Sequence, residues 1–305
     1  MLIRPRVLAP VLLLGATGPA WSGGPGSPGV AVPLYAINHR CTDSRFPRLA
    51  GPWAVGCGPG GRVDRALSLE TGRLIELPLP LGSAGTGPAA VVGAGRRGGL
   101  FRLTQAGAME VAEAPRIIER LTAPPATDGT HIGLLSSRGL QAFPATDQSH
   151  SIFDADPLGW QPIAMIWPWV AWVEDAGGGD ADVWIRDMRE RSSARPLANG
   201  TGRQDRVVAE GDWFAWIDLG DVVLWNPRTE ATRRIETRTG FRSPPAPWDG
   251  EACWEVRGDG IDIECSDLPG IARPGHQGWP TRWARWMLYR DADVPMLYTA
   301  PDHTE

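Results

Sequence analysis

Between Asp212 and Ile235 the chain alternates apolar runs with tight polar breaks. Trp213-Phe-Ala-Trp-Ile217 is followed by Leu219-Gly220, Val222-Val-Leu-Trp225, Asn226-Pro-Arg-Thr-Glu230 and Thr232-Arg-Arg-Ile235. Short apolar runs bounded by Gly, Pro, Asn and Asp predict strands joined by turns, here two inner strands and a third, polar strand with the character of an edge. The inner strands are apolar at odd and even positions alike, Trp213 and Ala215 against Phe214 and Trp216. Such strands belong to sheets covered on both faces. A similar phrase runs through Trp167-Pro-Trp-Val-Ala-Trp-Val173 and Asp182-Val-Trp-Ile-Arg-Asp187, with weaker versions on either side.

Taken as first strands, the copies begin at Trp53, Ala89, His131, Trp169, Trp213, Ala252 and Trp283, about 31 to 44 residues apart. Second strands follow in the same order, as in Arg65-Ala-Leu-Ser-Leu69, Gly99-Leu-Phe-Arg-Leu103, Gly139-Leu-Gln-Ala-Phe143, Asp221-Val-Val-Leu-Trp225 and Ile261-Asp-Ile-Glu-Cys265. This period is that of a propeller blade and mostly exceeds that of leucine-rich repeats. Helical repeats are excluded by the Gly and Pro that interrupt every candidate helix. The tryptophans at or near first-strand positions are expected to pack between blades.

An apolar strand with Trp, a short acidic or glycine turn, Asp-Val-Trp or Asp-Val-Val-Leu-Trp, then an Arg-Arg or Arg-Pro-Leu strand resembles the TolB-like β-propeller repeats of exported bacterial proteins. The likeness is clearest over residues 165–240. The Ser-Pro-Asp-Gly turns usual in that family are replaced here, most nearly by Pro125-Ala-Thr-Asp-Gly129 and Ala246-Pro-Trp-Asp-Gly250. The resemblance implies a fold and no single activity. The last copy, 283–298, lacks a final strand, while 33–39 is a strand without a partner, so the two are expected to share one blade and close the ring. The count is seven blades, with six as the alternative.

Residues 1–22 carry Arg4 and Arg6, an apolar run from Val7 to about Thr17, and Ala20-Trp21-Ser22. This is the layout of a secretory signal peptide cleaved after Ser22. Residues 23–33 read as a flexible linker, and 34–305 as a single propeller domain. No later stretch approaches the roughly 20 apolar residues of a spanning helix, so a periplasmic or secreted protein is expected. With a formal charge of −5 and a pI near 5.6, and arginine as its only strong base, the chain lacks the basic face of a nucleic-acid binder. Export permits disulfides. Cys253 and Cys265 fall opposite one another if a hairpin is centred on Asp259, and a Cys41–Cys57 bridge would tie the first strand to the second. Neither pair has the Cys-x-x-Cys spacing of a zinc site.

Chemistry is sparsely signalled. Gly93-Ala-Gly95-Arg-Arg-Gly98 matches a dinucleotide fingerprint, but Leu100-Phe-Arg-Leu-Thr104 alternates like a strand where that fingerprint needs a helix. Asp175-Ala-Gly-Gly-Gly-Asp180-Ala-Asp182 offers carboxylates to calcium without the spacing of a twelve-residue calcium loop. Asn199-Gly-Thr201 has the form of a glycosylation sequon. Asp154, Asp156, Asp249 and Glu251 are placed in connections between blades, where they would meet on one face as paired carboxylates do in glycan hydrolases. No cofactor is called for. The expectation is a non-catalytic module binding protein or glycan in the envelope or outside the cell, the alternative being a glycan hydrolase or lyase built from those loop carboxylates.

Overall fold

Strands apolar on both faces need a neighbour on each side, and the protein meets that need with stacked antiparallel meanders. The computed structural model describes residues 30–300 apart from 38–40, 42–47, 82, 88–89, 95–99, 105–106, 112–124, 137–138, 145–150, 154–162, 191–193, 238–242, 258–259, 269–276, 285 and 293. The expected leader and most of the expected linker lie outside the described residues.

Among the described residues there are seven sheets. The first runs Arg48–Ala50, Trp53–Cys57, Val63–Ser68, Leu74–Leu81, and the second Ser83–Gly87, Ala90–Ala94, Leu100–Thr104, Gly107–Val111. The third comprises Ala126–Thr127, His131–Ser136, Gly139–Pro144 and Ser151–Phe153; the fourth Ala164–Ile166, Trp169–Gly177, Asp180–Asp187 and Arg195–Ala198. The fifth holds Gln204–Glu210, Trp213–Asp218, Asp221–Trp225 and Thr232–Ile235, and the sixth Ala246–Trp248, Glu251–Arg257 and Ile261–Cys265. In the seventh, Gln277–Trp283, Trp286–Asp291 and Val294–Thr299 are joined by Val30–Pro33 from the other end of the chain.

This register corrects the sequence reading by one strand. The runs beginning at Trp53, His131, Trp169, Trp213 and Glu251 are second strands, each preceded by a strand that is often only two to four residues long. So short a strand shows no alternation, and the eye starts at the longer apolar run behind it. The strand near the N-terminus also begins earlier than expected, at Val30, pairing Val30 with Thr299 and Pro33 with Met296. Its last residue is followed by a 3-10 turn at Tyr35–Ile37 where the sequence suggested more strand. The last four residues assigned to the linker are thus sheet.

Burial follows strand position. In the fifth sheet Trp213–Asp218 and Asp221–Trp225 are buried along their centres, while Thr232–Ile235 is exposed and carries Arg233 and Arg234. Apolar clusters bridge successive sheets: Trp172 with Leu135 and Leu140, Trp216 with Val183 and Ile185, Trp254 with Ala215 and Leu224, Tyr289 with Cys253 and Ile263. The seventh sheet meets the first through Leu288, Leu297, Leu49 and Ala54, with Leu34 and Ile37 filling the seam. There Leu34 N–H donates to Pro295 O at 2.9 Å and the Arg65 guanidinium to Ala36 O at 3.2 Å.

Both disulfides are formed. Cys253 and Cys265 are direct cross-strand partners, with Cα atoms 4.0 Å apart. Cys41 bonds Cys57 with Cα atoms 5.5 Å apart, tying the N-terminal segment to the end of the second strand of the first sheet. Of the glycine fingerprint, residues 95–98 lie outside the described residues; Gly93 and Ala94 are strand, opposite Phe101 and Leu100, and the chain resumes at Leu100–Thr104 as strand where a dinucleotide site needs a helix.

Ile37 is fully buried in the seam (0% exposed) and Leu219 is 65% exposed at a hairpin tip. Ile37→Ala is expected to cost about 2–5 kcal/mol in urea unfolding, against less than about 0.5 kcal/mol for Leu219→Ala. Equal, small losses for both variants would show that the seam cluster does not hold the first and seventh sheets together.

Candidate functional site

Within an antiparallel meander the turn between first and second strands and the turn between second and third lie at opposite ends, and in the third to sixth sheets turns of the first kind face one groove. The first kind of turn brings together Asp128-Gly-Thr130, Trp167-Pro168, Gly211-Asp212 and Asp249-Gly250 from the third to sixth sheets. With the turn after Trp225 they line a groove of about 690 Å³, whose walls include Asp128, Trp167, Asp212, Trp213, Arg228, Trp248 and Asp249.

Each wall has a local cause. Asp128 closes its own turn by accepting N–H bonds from Thr130 and His131, both at 2.8 Å, and reaches the next sheet by accepting Trp167 N–H at 2.8 Å. The Trp167 indole lies flat on the His131 ring, with centroids 3.5 Å apart and planes 3° from parallel. Burial holds the His131 pKa below its ordinary value, with the Asp128 charge opposing, so the ring is neutral at pH 7. Asn226 folds the neighbouring turn by accepting N–H bonds from Arg228 at 2.9 Å and Thr229 at 3.2 Å, an Asx-type turn. That turn presents Arg228 to Asp212, at 3.3 Å, with both side chains more than half exposed.

Trp213 and Trp248 interlock over glycine. A Cβ at Gly211 would lie 3.9 Å from the Trp248 ring, and one at Gly250 would meet the Trp213 ring at 3.0 Å. Gly250 has φ +78° and Asp249 φ +49°, the left-handed pair of a two-residue hairpin turn, which Asp-Gly supplies readily. Trp248 in turn packs edge-on against Trp283 at 6.3 Å. The indoles at this end are therefore held in place and only half-buried, whereas Trp172, Trp216 and Trp254 are fully enclosed between sheets. The tryptophan stripe thus divides into packing and groove-lining members.

The sequence-predicted carboxylates fare differently. Asp249 and Glu251 flank a turn within the sixth sheet, not a connection between sheets, because Asp249-Gly250 closes the hairpin of Ala246–Trp248 with Glu251–Arg257. Asp249 lines the groove. Glu251 is committed to structure, paired with Arg233, which also donates to Gly250 O at 2.8 Å. Burial pushes the Glu251 carboxyl up, but hydrogen bonds from Arg233 and Ser266 and the nearby arginine charges outweigh it, leaving the pKa below its ordinary value. Asp154 and Asp156 lie outside the described residues. Asp175, Asp180 and Asp182 form a hairpin at the opposite end, where Gly177 N–H donates to Asp175 at 2.8 Å. Among the described residues no three His, Cys, Asp or Glu side chains cluster as metal ligands. Sequence reading missed Asp128, Trp167, Asp212, Trp213, Arg228 and Trp248 as a group. The available signal was position: Asp128, Trp167, Asp212 and Trp248 shortly precede a second strand, Trp213 begins one, and Arg228 lies in the turn after a third strand.

Glu210, beside Gly211, is the least ordinary carboxyl at this end. Its Oε1 is shut from solvent without a hydrogen-bond partner among the described residues. Burial raises its pKa well above the ordinary value, and the charge of Arg48 on the first strand of the first sheet lowers it in part.

No family model matches the chain, and no curated protein matches it. Among solved structures it is similar to an oligogalacturonate lyase in complex with manganese, at 11% identity over 90% of this chain and 98% of that one, with a TM-score of 0.57. A catalytically inactive virginiamycin B lyase from Staphylococcus aureus with quinupristin gives 10%, 90%, 99% and 0.52 for the same quantities. TolB from Acinetobacter baumannii gives 13%, 85%, 86% and 0.42. For the two lyases, at these identities, the likeness is one of fold, and that fold is the all-β propeller type.

Glu210 also makes a pH dependence. Its folded pKa exceeds the unfolded value of about 4.3, so the stability it contributes is complete below that value and is lost as pH rises through the folded pKa. Glu210→Gln is expected to melt with wild type near pH 4 and above it at pH 8, measured by thermal scans across that range. A melting difference independent of pH would refute the assignment.

Proposed function

We propose that the protein is an exported, seven-bladed β-propeller of TolB-like type, closed by the strand at Val30–Pro33, that binds a protein or glycan ligand through the groove formed by its first-to-second-strand turns. The reading of one closed ring is supported by seven sheets, the last containing strands from both ends of the chain. Two disulfides suit an oxidising compartment outside the cytoplasm. The observation that carries the binding role is the groove itself. Its volume of about 690 Å³ lies in the range of ligand sites, and its indoles are packed before any ligand arrives, Trp213 and Trp248 over glycines and Trp167 on His131, which lowers the ordering cost of binding.

One observation favours an enzyme instead. Asp212 and Asp249 line the same groove beside Trp213 and Trp248, the setting that acid–base cleavage of a glycan requires. Against it, both Asp128 oxygens are occupied by backbone N–H groups and Asp212 faces Arg228. Asp249 alone among these carboxylates has no hydrogen-bond or ion-pair partner among the described residues, and a hydrolase needs two carboxyls in complementary roles.

Screening the full-length protein against neutral and acidic glycans and extended peptides, with product analysis in parallel, tests this reading. Binding without turnover, weakened at least about tenfold by Trp248→Ala, is expected. Glycan turnover that Asp249→Ala abolishes would establish the enzyme in its place.

A further inference from the structure

The groove has a charge sign as well as a shape. Its lining carries three carboxylates, Asp128, Asp212 and Asp249, and one guanidinium, Arg228, an excess of two negative charges (three minus one). His131, neutral beneath Trp167, adds no positive charge. The three aspartates are held in different ways. Asp128 is fixed by hydrogen bonds that leave its charge in place while anchoring two turns. Asp249 projects from a hairpin tip without a partner among the described residues. Asp212 has only Arg228, at 3.3 Å and with side-chain exposures of 53% and 66%. An exposed pair of that kind is worth at most about 1 kcal/mol, so an incoming cation exchanges with Arg228 at little cost.

The apolar part of the lining is equally specific. Trp167 lies in, and Trp213 and Trp248 flank, the first-to-second-strand turns of three consecutive sheets, so their rings are spread along the groove. Indole is the ring that best attracts a cation over its face. Negative charge beside low-dielectric aromatic walls concentrates the potential inside a cleft. A polyanion would meet repulsion from the aspartates. A neutral sugar would gain from the rings and nothing from the net charge.

We infer that the groove is a docking site for an extended, basic protein segment, whose arginine or lysine side chains lie over Trp167, Trp213 and Trp248 with their charges against Asp212 and Asp249. This inference rests on the groove being the binding site and adds the chemistry of its occupant. Arg228 then acts as a resident cation that the segment displaces, which disfavours ligands without positive charge by leaving the Asp212–Arg228 pair intact.

The test is fluorescence anisotropy on the full-length protein with labelled ten-residue peptides alternating glycine with arginine, lysine or glutamate, and with neutral and acidic oligosaccharides. The arginine peptide is expected to bind, the glutamate peptide to show no binding, and affinity to fall several-fold between 50 and 300 mM salt. Asp212→Asn with Asp249→Asn should weaken binding at least about tenfold, and Trp248→Ala comparably. Asp175→Asn with Asp180→Asn removes the same charge from the opposite end and should leave affinity unchanged. If that pair weakens binding as much as the groove pair, the attraction belongs to the whole protein and the inference fails. Preference for a neutral oligosaccharide, lost in Trp248→Ala, would keep the groove as the binding site and overturn only the basic occupant. Loss of no ligand in any groove variant would overturn both readings together.

Discussion

The constraint on which the rest depends is that the inner strands are apolar on both faces. Val183 and Ile185 cover Trp216 from one side, while Ala215 and Leu224 on the other face of the same sheet cover Trp254. A sheet built this way has no face it can show to water, so each requires a neighbour and the array tends toward closure. Between the seventh and first sheets that requirement is met by the N-terminal segment, which leaves the seventh sheet at Pro33 and enters the first at Arg48. Leu34 and Ile37 fill the seam, backbone pairing at Val30–Pro33 spans one side of it, and the Cys41–Cys57 bond anchors the other. A short N-terminal segment thereby serves as strand, plug and covalent tie.

The repeat was legible because burial on both faces leaves a dense apolar signature, as in 213–217 and 169–173. The Cys253–Cys265 register was legible because a Gly-Asp-Gly turn fixes the cross-strand partner by counting. The phase of the repeat was not. Ala126–Thr127 and Ala164–Ile166 are too short to alternate, and their assignment is made by neighbours they meet only in three dimensions. The same shortness hid the strand at Val30–Pro33 inside what composition presents as linker, since Gly and Pro nearby say nothing about a partner strand far along the chain.

The groove was half visible for a related reason. Pro125-Ala-Thr-Asp-Gly129 and Ala246-Pro-Trp-Asp-Gly250 stood out as turns, yet a one-strand error in phase assigned Asp249 and Glu251 to connections between sheets. Once the phase is corrected, both turns fall at the same end of their sheets, together with Trp167 and Asp212. The division of the tryptophans follows directly. Those in mid-strand, such as Trp172 and Trp216, are enclosed by the next sheet. Those at the ends of strands, such as Trp213 and Trp248, reach past it and are only half covered.

Turn aspartates occur at both ends of the sheets, and around the fifth and sixth sheets two arginines on the outer strand of the fifth decide which carboxylates are paired. Arg234, on the outer strand of the fifth sheet, spans Asp218 at 2.6 Å and Asp221 at 2.8 Å and gives both carboxylates of the hairpin at Leu219-Gly220 a partner. Arg233, one residue earlier and pointing to the other side, passes Asp249 and pairs with Glu251 and Gly250 O. That choice stiffens the Asp249-Gly250 turn through its backbone while leaving the Asp249 carboxylate uncompensated. A two-residue stretch of edge strand therefore treats two hairpins differently: it pairs the carboxylates beside Leu219-Gly220 in its own sheet and leaves Asp249 of the sixth sheet uncompensated where the indoles converge.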